Sequence, residues 1–207
     1  MPFGYIGQNQ TKQQVKNSGV LSSFEISHLE KLNQASGSLE FITSTSFTNS
    51  TAILTNIKED IYDVHYFELL LTGAHQDITV FLDMSTDGGS SYVTDDLAYS
   101  KSYGQSNSTF NQSTNADLYG IQIAQSVDSN NGCYCNGYLY YLGNSSQRSH
   151  YSGFSVFERS GDSDVRRFEY GGGVYRTAAT INAIKFYPNQ GGLTGSLKLY
   201  GIKQWVI

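Results

Sequence analysis

The stretch His65-Tyr66-Phe67-Glu68-Leu69-Leu70-Leu71 decides the fold. Every second residue from His65 to Leu71 would point to one face of a strand, because successive side chains of a strand alternate between its two faces. Tyr66, Glu68 and Leu70 would point to the other face. Val80, Leu82 and Met84 repeat this two-residue period a few positions further on. Both segments are therefore predicted to be core strands.

Short segments rich in Val, Ile, Tyr, Phe and Thr recur from Leu39 to the end of the chain, separated by clusters of Gly, Ser, Asn and Asp. This pattern is typical of an all-β protein, and no helical crossover interrupts it. In the last two segments Ile184 and Leu197 would face the core, and Lys185 and Lys198 the solvent. The sequence predicts an antiparallel β-sandwich over residues 39–207, with further strands at 39–46, 51–57, 119–126, 137–143, 151–158, 165–170, 180–187 and 195–202.

Residues 1–38 have a different character, because they are rich in Gln, Asn and Lys and show no strand-length alternation. Ser22-Ser23-Phe24-Glu25 has the spacing of a capping box, and Ile26, Leu29 and Leu32 follow at helical intervals. These signals predict an N-terminal arm with one short helix near residues 23–34. The helix would either plug an open end of the sandwich or form an assembly contact.

The charge and hydropathy of the chain limit the kinds of partner that it can bind. The 207 residues include 13 Lys and Arg against 18 Asp and Glu, a net charge of −5. Nucleic acid is not expected as a partner, because phosphate binding needs clustered basic side chains. No apolar run approaches the roughly 20 residues that span a bilayer, so no membrane insertion is expected. Cys133 and Cys135 would close only a small strained ring, so they are predicted to be free thiols.

The stretch Ser85-Thr86-Asp87-Gly88-Gly89-Ser90-Ser91-Tyr92 resembles the Asp-box hairpin of sialidase propellers and other β proteins. Asp87 would cap its own turn, Gly88 and Gly89 would permit positive φ, and Tyr92 would begin the return strand. A single copy implies a structural hairpin. Asp83 and Asp87 also match the first half of a calcium-binding loop, but the twelfth position is Thr94 instead of Glu, so no metal site is assigned.

Catalytic signatures are sparse. The four histidines are scattered along the chain, and the carboxylate pairs lie in turn-like stretches where solvation explains them better than a glycosidase site does. Gly171-Gly172-Gly173 is not followed by the Lys-Ser/Thr of a phosphate-binding loop, and a hairpin turn or bulge is predicted there. The sequence predicts a protein that is not an enzyme and that carries no cofactor.

Two long polar segments, Ser100–Asp117 and Gly143–Ser149, are predicted to be loops. They are rich in Ser, Asn and Tyr, a composition that suits adaptable contacts as well as solvated surface. Ligand contact, if the loops provide it, would come from Tyr103, Asn107, Phe110, Asn111 and Asn144. The abundant tyrosines suit sugar rings and protein interfaces alike, since each combines a flat apolar ring with a hydroxyl.

The end of the chain resembles the terminal hairpin of virion proteins from tailed bacteriophages, notably those of marine bacteria. The most specific part is the strand Gly195-Ser196-Leu197-Lys198-Leu199-Tyr200-Gly201-Ile202. The opening Gly4-Tyr5-Ile6-Gly7, the segment Gly19-Val20-Leu21-Ser22 and the Ser-x-Asp-Gly-Gly-x-Ser-Tyr stretch agree with it. The resemblance implies a jelly-roll or concanavalin-like β-sandwich built into the phage particle.

The resemblance also implies a function and a location. The chain would be a non-enzymatic structural protein assembled in the bacterial host cytoplasm, a homotrimer in contact with other virion proteins of the tail or capsid. A tail appendage that can meet host surface glycans is favoured over a capsid decoration protein, and a carbohydrate-binding module is a further alternative. The arm would dock onto the virion through apolar residues, which are Phe3, Tyr5, Ile6, Val15, Val20 and Leu21.

Overall fold

The computed structural model describes residues 39–74, 77–118, 120–128, 132–161 and 165–202, and β-strands dominate these ranges. The strands are β1 (Leu39–Ser50), β2 (Ala52–Leu54), β3 (Val64–Ala74), β4 (Ile78–Ser85), β5 (Leu97–Gln105), β6 (Ser108–Leu118), β7 (Ile121–Val127), β8 (Cys133–Tyr140), β9 (Arg148–Glu158), β10 (Arg166–Ala178), β11 (Ala183–Pro188) and β12 (Leu193–Ile202).

The strands form two antiparallel sheets. The larger has eight strands in the order β1-β12-β3-β8-β9-β10-β5-β6, and the smaller has four in the order β2-β11-β4-β7. Neighbours in each sheet are mostly distant in sequence, so the chain passes repeatedly between the sheets. The prediction of an all-β protein with two antiparallel sheets is confirmed.

The core lies between the sheets and is filled by alternate residues of the predicted core strands. Phe67, Leu69 and Leu71 of β3 and Leu82 and Met84 of β4 are buried, which confirms the two-residue period. The inward residues of the last two strands agree with prediction as well, since Ile184, Phe186, Leu197 and Leu199 are all buried. Cys133 and Cys135 are buried, unbridged thiols, as predicted.

The prediction of a long loop over Ser100–Asp117 is wrong. This stretch falls in β5 and β6, which form a hairpin with Ser106 and Asn107 at its tip. The backbone of β5 also pairs with β10 from Tyr175 opposite Leu97 to Arg167 opposite Gln105. Main-chain hydrogen bonds to a long neighbouring strand therefore outweigh the weak strand propensity of the Ser and Asn side chains.

The prediction of a turn or bulge at Gly171-Gly172-Gly173 is also wrong, because all three lie inside the continuous strand β10. A register shift occurs later, between Val174 and Ala178. Side chains at all three positions would meet close neighbours: a Cβ would collide with Lys101 at Gly171, with the Tyr151 carbonyl oxygen at Gly172 and with Ile121 at Gly173. The glycines therefore allow close packing in a strand.

The stretch that resembles an Asp-box forms the predicted turn but not the predicted hairpin. Gly88 and Gly89 have positive φ, and the Asp87 carboxylate accepts hydrogen bonds from the Ser91 backbone N–H and from the Ser91 and Ser85 hydroxyls. The chain then leaves β4, which pairs with β7 and β11, and enters β5 in the other sheet. Tyr92 precedes β5 and therefore begins no return strand.

The Asp87 turn should contribute stability that depends on pH. Hydrogen bonds from Ser91 and Ser85 lower the pKa of Asp87 from its ordinary 3.8 to about 2. The folded state therefore holds the charged form more strongly than the unfolded chain, and this stabilisation is present above about pH 4 and lost as the pH falls toward 2. In the Asp87→Asn variant, the midpoint of urea unfolding should therefore decrease less between about pH 4 and pH 2 than it does in the unchanged protein.

Asp95→Asn provides the control for this prediction, because Asp95 is an exposed carboxylate beyond the same turn. It should leave the acid dependence of the urea midpoint close to that of the unchanged protein. Equal acid dependence in the Asp87→Asn variant and the unchanged protein would show that the turn hydrogen bonds do not stabilise the charged form.

The predicted arm and short helix lie outside the described residues. The same holds for the predicted docking residues Phe3, Tyr5, Ile6, Val15, Val20 and Leu21. The division of the chain at residue 38 stays a prediction. Within the ranges that the structure describes, no helix is long and apolar enough to cross a membrane.

Candidate assembly surface

Large apolar side chains are concentrated on the outer face of the eight-stranded sheet. Of the eleven strongly exposed large apolar side chains among the described residues, eight lie on this face. They are Leu39, Phe41, Leu70, Phe110, Tyr138, Phe154, Val156 and Tyr170. We call the outward-facing residues of this eight-stranded sheet the aromatic face. Contiguous exposed apolar surface of this kind marks interaction sites in soluble proteins.

A row of touching rings crosses one half of the aromatic face. Phe41 meets Tyr200 edge-on with ring centroids 5.7 Å apart, and Tyr200 lies 6.1 Å from Tyr66. Tyr66 and Tyr138 are 5.2 Å apart, and Tyr138 and Tyr140 are stacked at 6.3 Å. The register explains the row, because Tyr200, Tyr66 and Tyr138 are directly opposite one another on β12, β3 and β8. We call these three tyrosines the ridge.

Small residues continue the same row across the other half of the sheet. Ser152 lies opposite Tyr138, Gly172 opposite Ser152, and Ser100 opposite Gly172. We call these three residues the trough. An open groove of about 540 Å³ is lined by Ser100 and Gly172 of the trough, together with Ala98, His150 and Val174. The ridge and the trough therefore lie side by side on one surface.

Most charges of the aromatic face are paired, and the exposed Arg148 at the start of β9 adds one further base. Lys198 and Glu68 are 3.9 Å apart on the neighbouring strands β12 and β3. At the end of β9 and β10, Arg166 and Glu158 are 3.2 Å apart. Each pair neutralises itself, so the surface attracts neither acidic nor basic partners strongly. Contacts on this face would depend on apolar and aromatic packing.

The predicted ligand-contact residues occupy different parts of the sheet. Asn107 lies at the tip of the β5–β6 hairpin, next to Ser106, whose backbone N–H donates to the Arg166 carbonyl at the start of β10. Asn144 lies in the loop from β8 to β9, at the opposite end of these strands, where its side chain accepts a hydrogen bond from the Ser146 N–H. The structure therefore does not bring the two predicted loops together.

The remaining predicted contact residues divide between the two faces of the sheet. Phe110 lies on the outer face, where it meets Phe168 edge-on at 5.5 Å. Tyr103 lies on the inner face beneath the Arg167 guanidinium, 3.7 Å from its ring centroid, and Asn111 is opposite Tyr103 on β6. Ligand contact by these residues stays a prediction.

The two aspartates considered for calcium have partners of their own. Asp83 lies 3.2 Å from Lys185, whose ammonium also covers the Tyr92 ring at 3.8 Å. Burial raises the pKa of Asp83 to about 6, against the opposing effects of the Met84 backbone hydrogen bond and Lys185. The Asp87 carboxylate is held by Ser85 and Ser91. Among the described residues no group of three or more His, Cys, Asp or Glu side chains is placed to hold a metal ion.

A buried charged cluster lies on the inner side of the large sheet. Glu169 lies 2.6 Å from Lys101 and 2.7 Å from Arg167, and all three side chains are almost fully buried. Burial lowers the pKa of both Lys101 and Arg167, and Glu169 acts against this in each case. Arg167 also donates a hydrogen bond to Gln125 of β7. The cluster joins β5 and β10 to the small sheet and gives no access to a ligand.

The comparisons with known proteins add no relative. No protein-family model matches the chain, and no curated protein matches it significantly. The surface therefore has to be interpreted from its own chemistry.

The sequence contained a partial signal for the aromatic face. The abundance of tyrosine indicates an interface, and the alternation along 65–71 places Tyr66 and Leu70 on the face opposite to Phe67 and Leu69. The ridge itself depends on the register between β12, β3 and β8, which are far apart in the chain. A single sequence does not specify that register.

Proposed function

We propose that the chain is a non-enzymatic structural protein of a tailed-phage virion and that the aromatic face is its assembly surface. The observation that carries this proposal is the collection of exposed aromatic and aliphatic side chains on one face of the large sheet. An isolated domain gains nothing from exposing such a surface, whereas an assembly buries it and is stabilised in proportion to the area removed from water. The resemblance of the strand 195–202 to phage virion proteins supports the location.

We further propose that the sandwich is a jelly roll with two inserted hairpins. Leaving out β5–β6 and β9–β10, the remaining eight strands pair first with last, second with seventh, third with sixth and fourth with fifth. These pairs are β1 with β12, β2 with β11, β3 with β8 and β4 with β7. This nested pairing is what a long hairpin produces when it folds over into two sheets, as in jelly rolls. The inserted hairpins widen the large sheet and with it the aromatic face.

The proposed position in the virion is a tail appendage, anchored by residues 1–38, with a homotrimer as the assembled state. Amide-rich and tyrosine-rich segments such as the β5–β6 hairpin suit contact with a host surface. The rival position is the head, where the protein would decorate the capsid. The aromatic face serves either position, because both require contact between subunits.

Immunogold electron microscopy of purified particles tests this proposal. An antibody raised against residues 39–207 should label the tail or its fibres. Label over the head would replace the tail appendage by a capsid decoration protein. Particles that carry no label, although the protein is present in the infected cells, would contradict a structural role in the virion.

Deletion of residues 1–22 should abolish incorporation into particles while the sandwich still folds. The deletion removes the predicted docking residues Phe3, Tyr5, Ile6, Val15, Val20 and Leu21 and leaves every described strand intact. Quantitative immunoblotting of purified particles measures incorporation, and circular dichroism of the purified variant measures folding. A folded variant found in particles at the copy number of the unchanged protein would contradict anchoring by the arm.

A further inference from the structure

We propose that the occupant of the aromatic face is a second copy of this chain, which inserts the Tyr66–Tyr138–Tyr200 ridge into the trough formed by Ser100, Ser152 and Gly172. This inference rests on the proposed role of the aromatic face as an assembly surface, and it names the partner.

The shape of the aromatic face is complementary to that of a second copy of the same face. The ridge projects from one half of a single row of the sheet, and the trough recedes in the other half of the same row. Bringing two copies together can therefore place the projecting tyrosines of one over the small residues of the other. The same contact can close as a pair, in which each copy supplies both elements, or as a ring.

The charges of the face permit contact with a copy of itself. The aromatic face presents Glu68 with Lys198, and Glu158 with Arg166, so each acid is accompanied by a base. A second copy therefore meets no uniform field of like charge. A strongly charged partner such as nucleic acid or an acidic peptide finds no complementary surface here.

The area of the face is adequate for a stable interface. The eight strands span about 34 Å across the sheet at ~4.8 Å per strand, and four outward-facing rows extend about 20 Å along the strands. The resulting surface of roughly 700 Å² in projection is close to the ~800 Å² that each partner contributes to a standard interface. A single sugar ring would cover only a small part of it.

The tilts of the rings also favour a protein partner over a glycan. Tyr66 is inclined by 48° to Tyr138 and by 38° to Tyr200. The ridge therefore presents ring edges and hydroxyls at several angles. This uneven surface suits packing of side chains, in which aromatic pairs prefer tilted and edge-on contacts.

Sedimentation velocity of the purified full chain over a range of concentrations tests the inference. We expect a reversible oligomer of two or more copies of the 22.9 kDa chain. Tyr138→Asp, which removes a central ridge ring and adds an unpaired charge, should raise the dissociation constant about 10- to 30-fold, as for other buried aromatic anchors. Ser100→Trp, which fills the trough without removing a core contact, should weaken association similarly.

Ile53→Asp is the matched control for Tyr138→Asp. Ile53 and Tyr138 are each 41% exposed, but Ile53 lies on β2 of the small sheet. The control should leave the dissociation constant unchanged, and circular dichroism should show the same folded spectrum for all variants. A monomer at every concentration would overturn the inference, as would an oligomer that resists both Tyr138→Asp and Ser100→Trp.

The two proposals fail in different ways. A monomeric protein that labels purified particles would retain the virion role and exclude self-association through this face. A monomer that binds host polysaccharide, with binding lost in Tyr138→Asp, would replace the second copy by a glycan. An oligomer sensitive to the ridge, but absent from particles, would retain self-association and exclude the virion role.

Discussion

Glu169→Gln is expected to destabilise the protein by about 3–5 kcal/mol, the usual loss when one partner of a buried ion pair is removed. Glu169 is only 1% exposed and provides the negative charge for both Lys101 and Arg167, whose side chains are each 4% exposed. Replacing the carboxylate by an amide leaves two cations in the interior with no adjacent counter-charge. Urea unfolding, followed by far-ultraviolet circular dichroism, would measure the loss of unfolding free energy.

The matched control is Glu158→Gln. Glu158 of β9 pairs with Arg166 of β10 on the outer side of the large sheet, and the Arg166 side chain is 68% exposed. Solvent screens such a pair, so its loss should cost no more than about 0.5 kcal/mol. Similar losses for Glu158→Gln and Glu169→Gln would contradict the role of burial in the cluster.

Phe67→Ala should be comparably destabilising, by about 3–5 kcal/mol, because it opens a cavity between the two sheets. Phe67 is fully buried, and its ring centroid lies 4.8 Å from that of Phe186 on the small sheet and 6.1 Å from that of Tyr151. The side chain therefore links the sheets at the centre of the core. The free energy of unfolding from urea titration would measure the loss.

Phe154→Ala removes the same side chain from the outer face and serves as the control. Phe154 is 38% exposed, and at a protein concentration low enough to prevent association its removal should cost less than about 1 kcal/mol. If the two alanine variants lost equal stability, the assignment of inner and outer faces would be wrong.

The core strands could be predicted from the sequence because apolar residues alternate with outward-facing residues along each of them. Phe67, Leu69 and Leu71 are each followed by a residue that faces outward, and the same holds for Leu197 before Lys198. The two-residue period is a property of the strand alone, so neighbouring strands are not needed to recognise it.

The strands β5 and β6 could not be predicted because their pairing partners are remote. The Ser-rich and Asn-rich stretch from Ser100 to Asp117 has low strand propensity, and β5 is held by β10, whose paired residues are about seventy positions further along the chain. Gly171-Gly172-Gly173 were assigned to a turn for a related reason. Their lack of a side chain leaves room for neighbours such as Lys101 and Ile121, which belong to other strands.

The candidate site was predictable in its composition but not in its geometry. The excess of tyrosine indicated an interface, yet the ridge depends on the alignment of Tyr200, Tyr66 and Tyr138 across three strands. The buried cluster illustrates the same limit. Arg166-Arg167 is one basic pair in the sequence, but alternation on β10 places Arg166 in solvent and Arg167 beside Glu169 in the interior.

Hydroxyl-radical footprinting of the assembled full chain tests the central claim that the aromatic face is an assembly surface. Tyr138 and Tyr141 are 41% and 44% exposed in the single chain, but only Tyr138 lies on the face. We expect oxidation of Tyr138 to fall severalfold relative to Tyr141 when the protein passes from dilute to concentrated solution. Equal oxidation of the two tyrosines in the assembled protein would contradict the account.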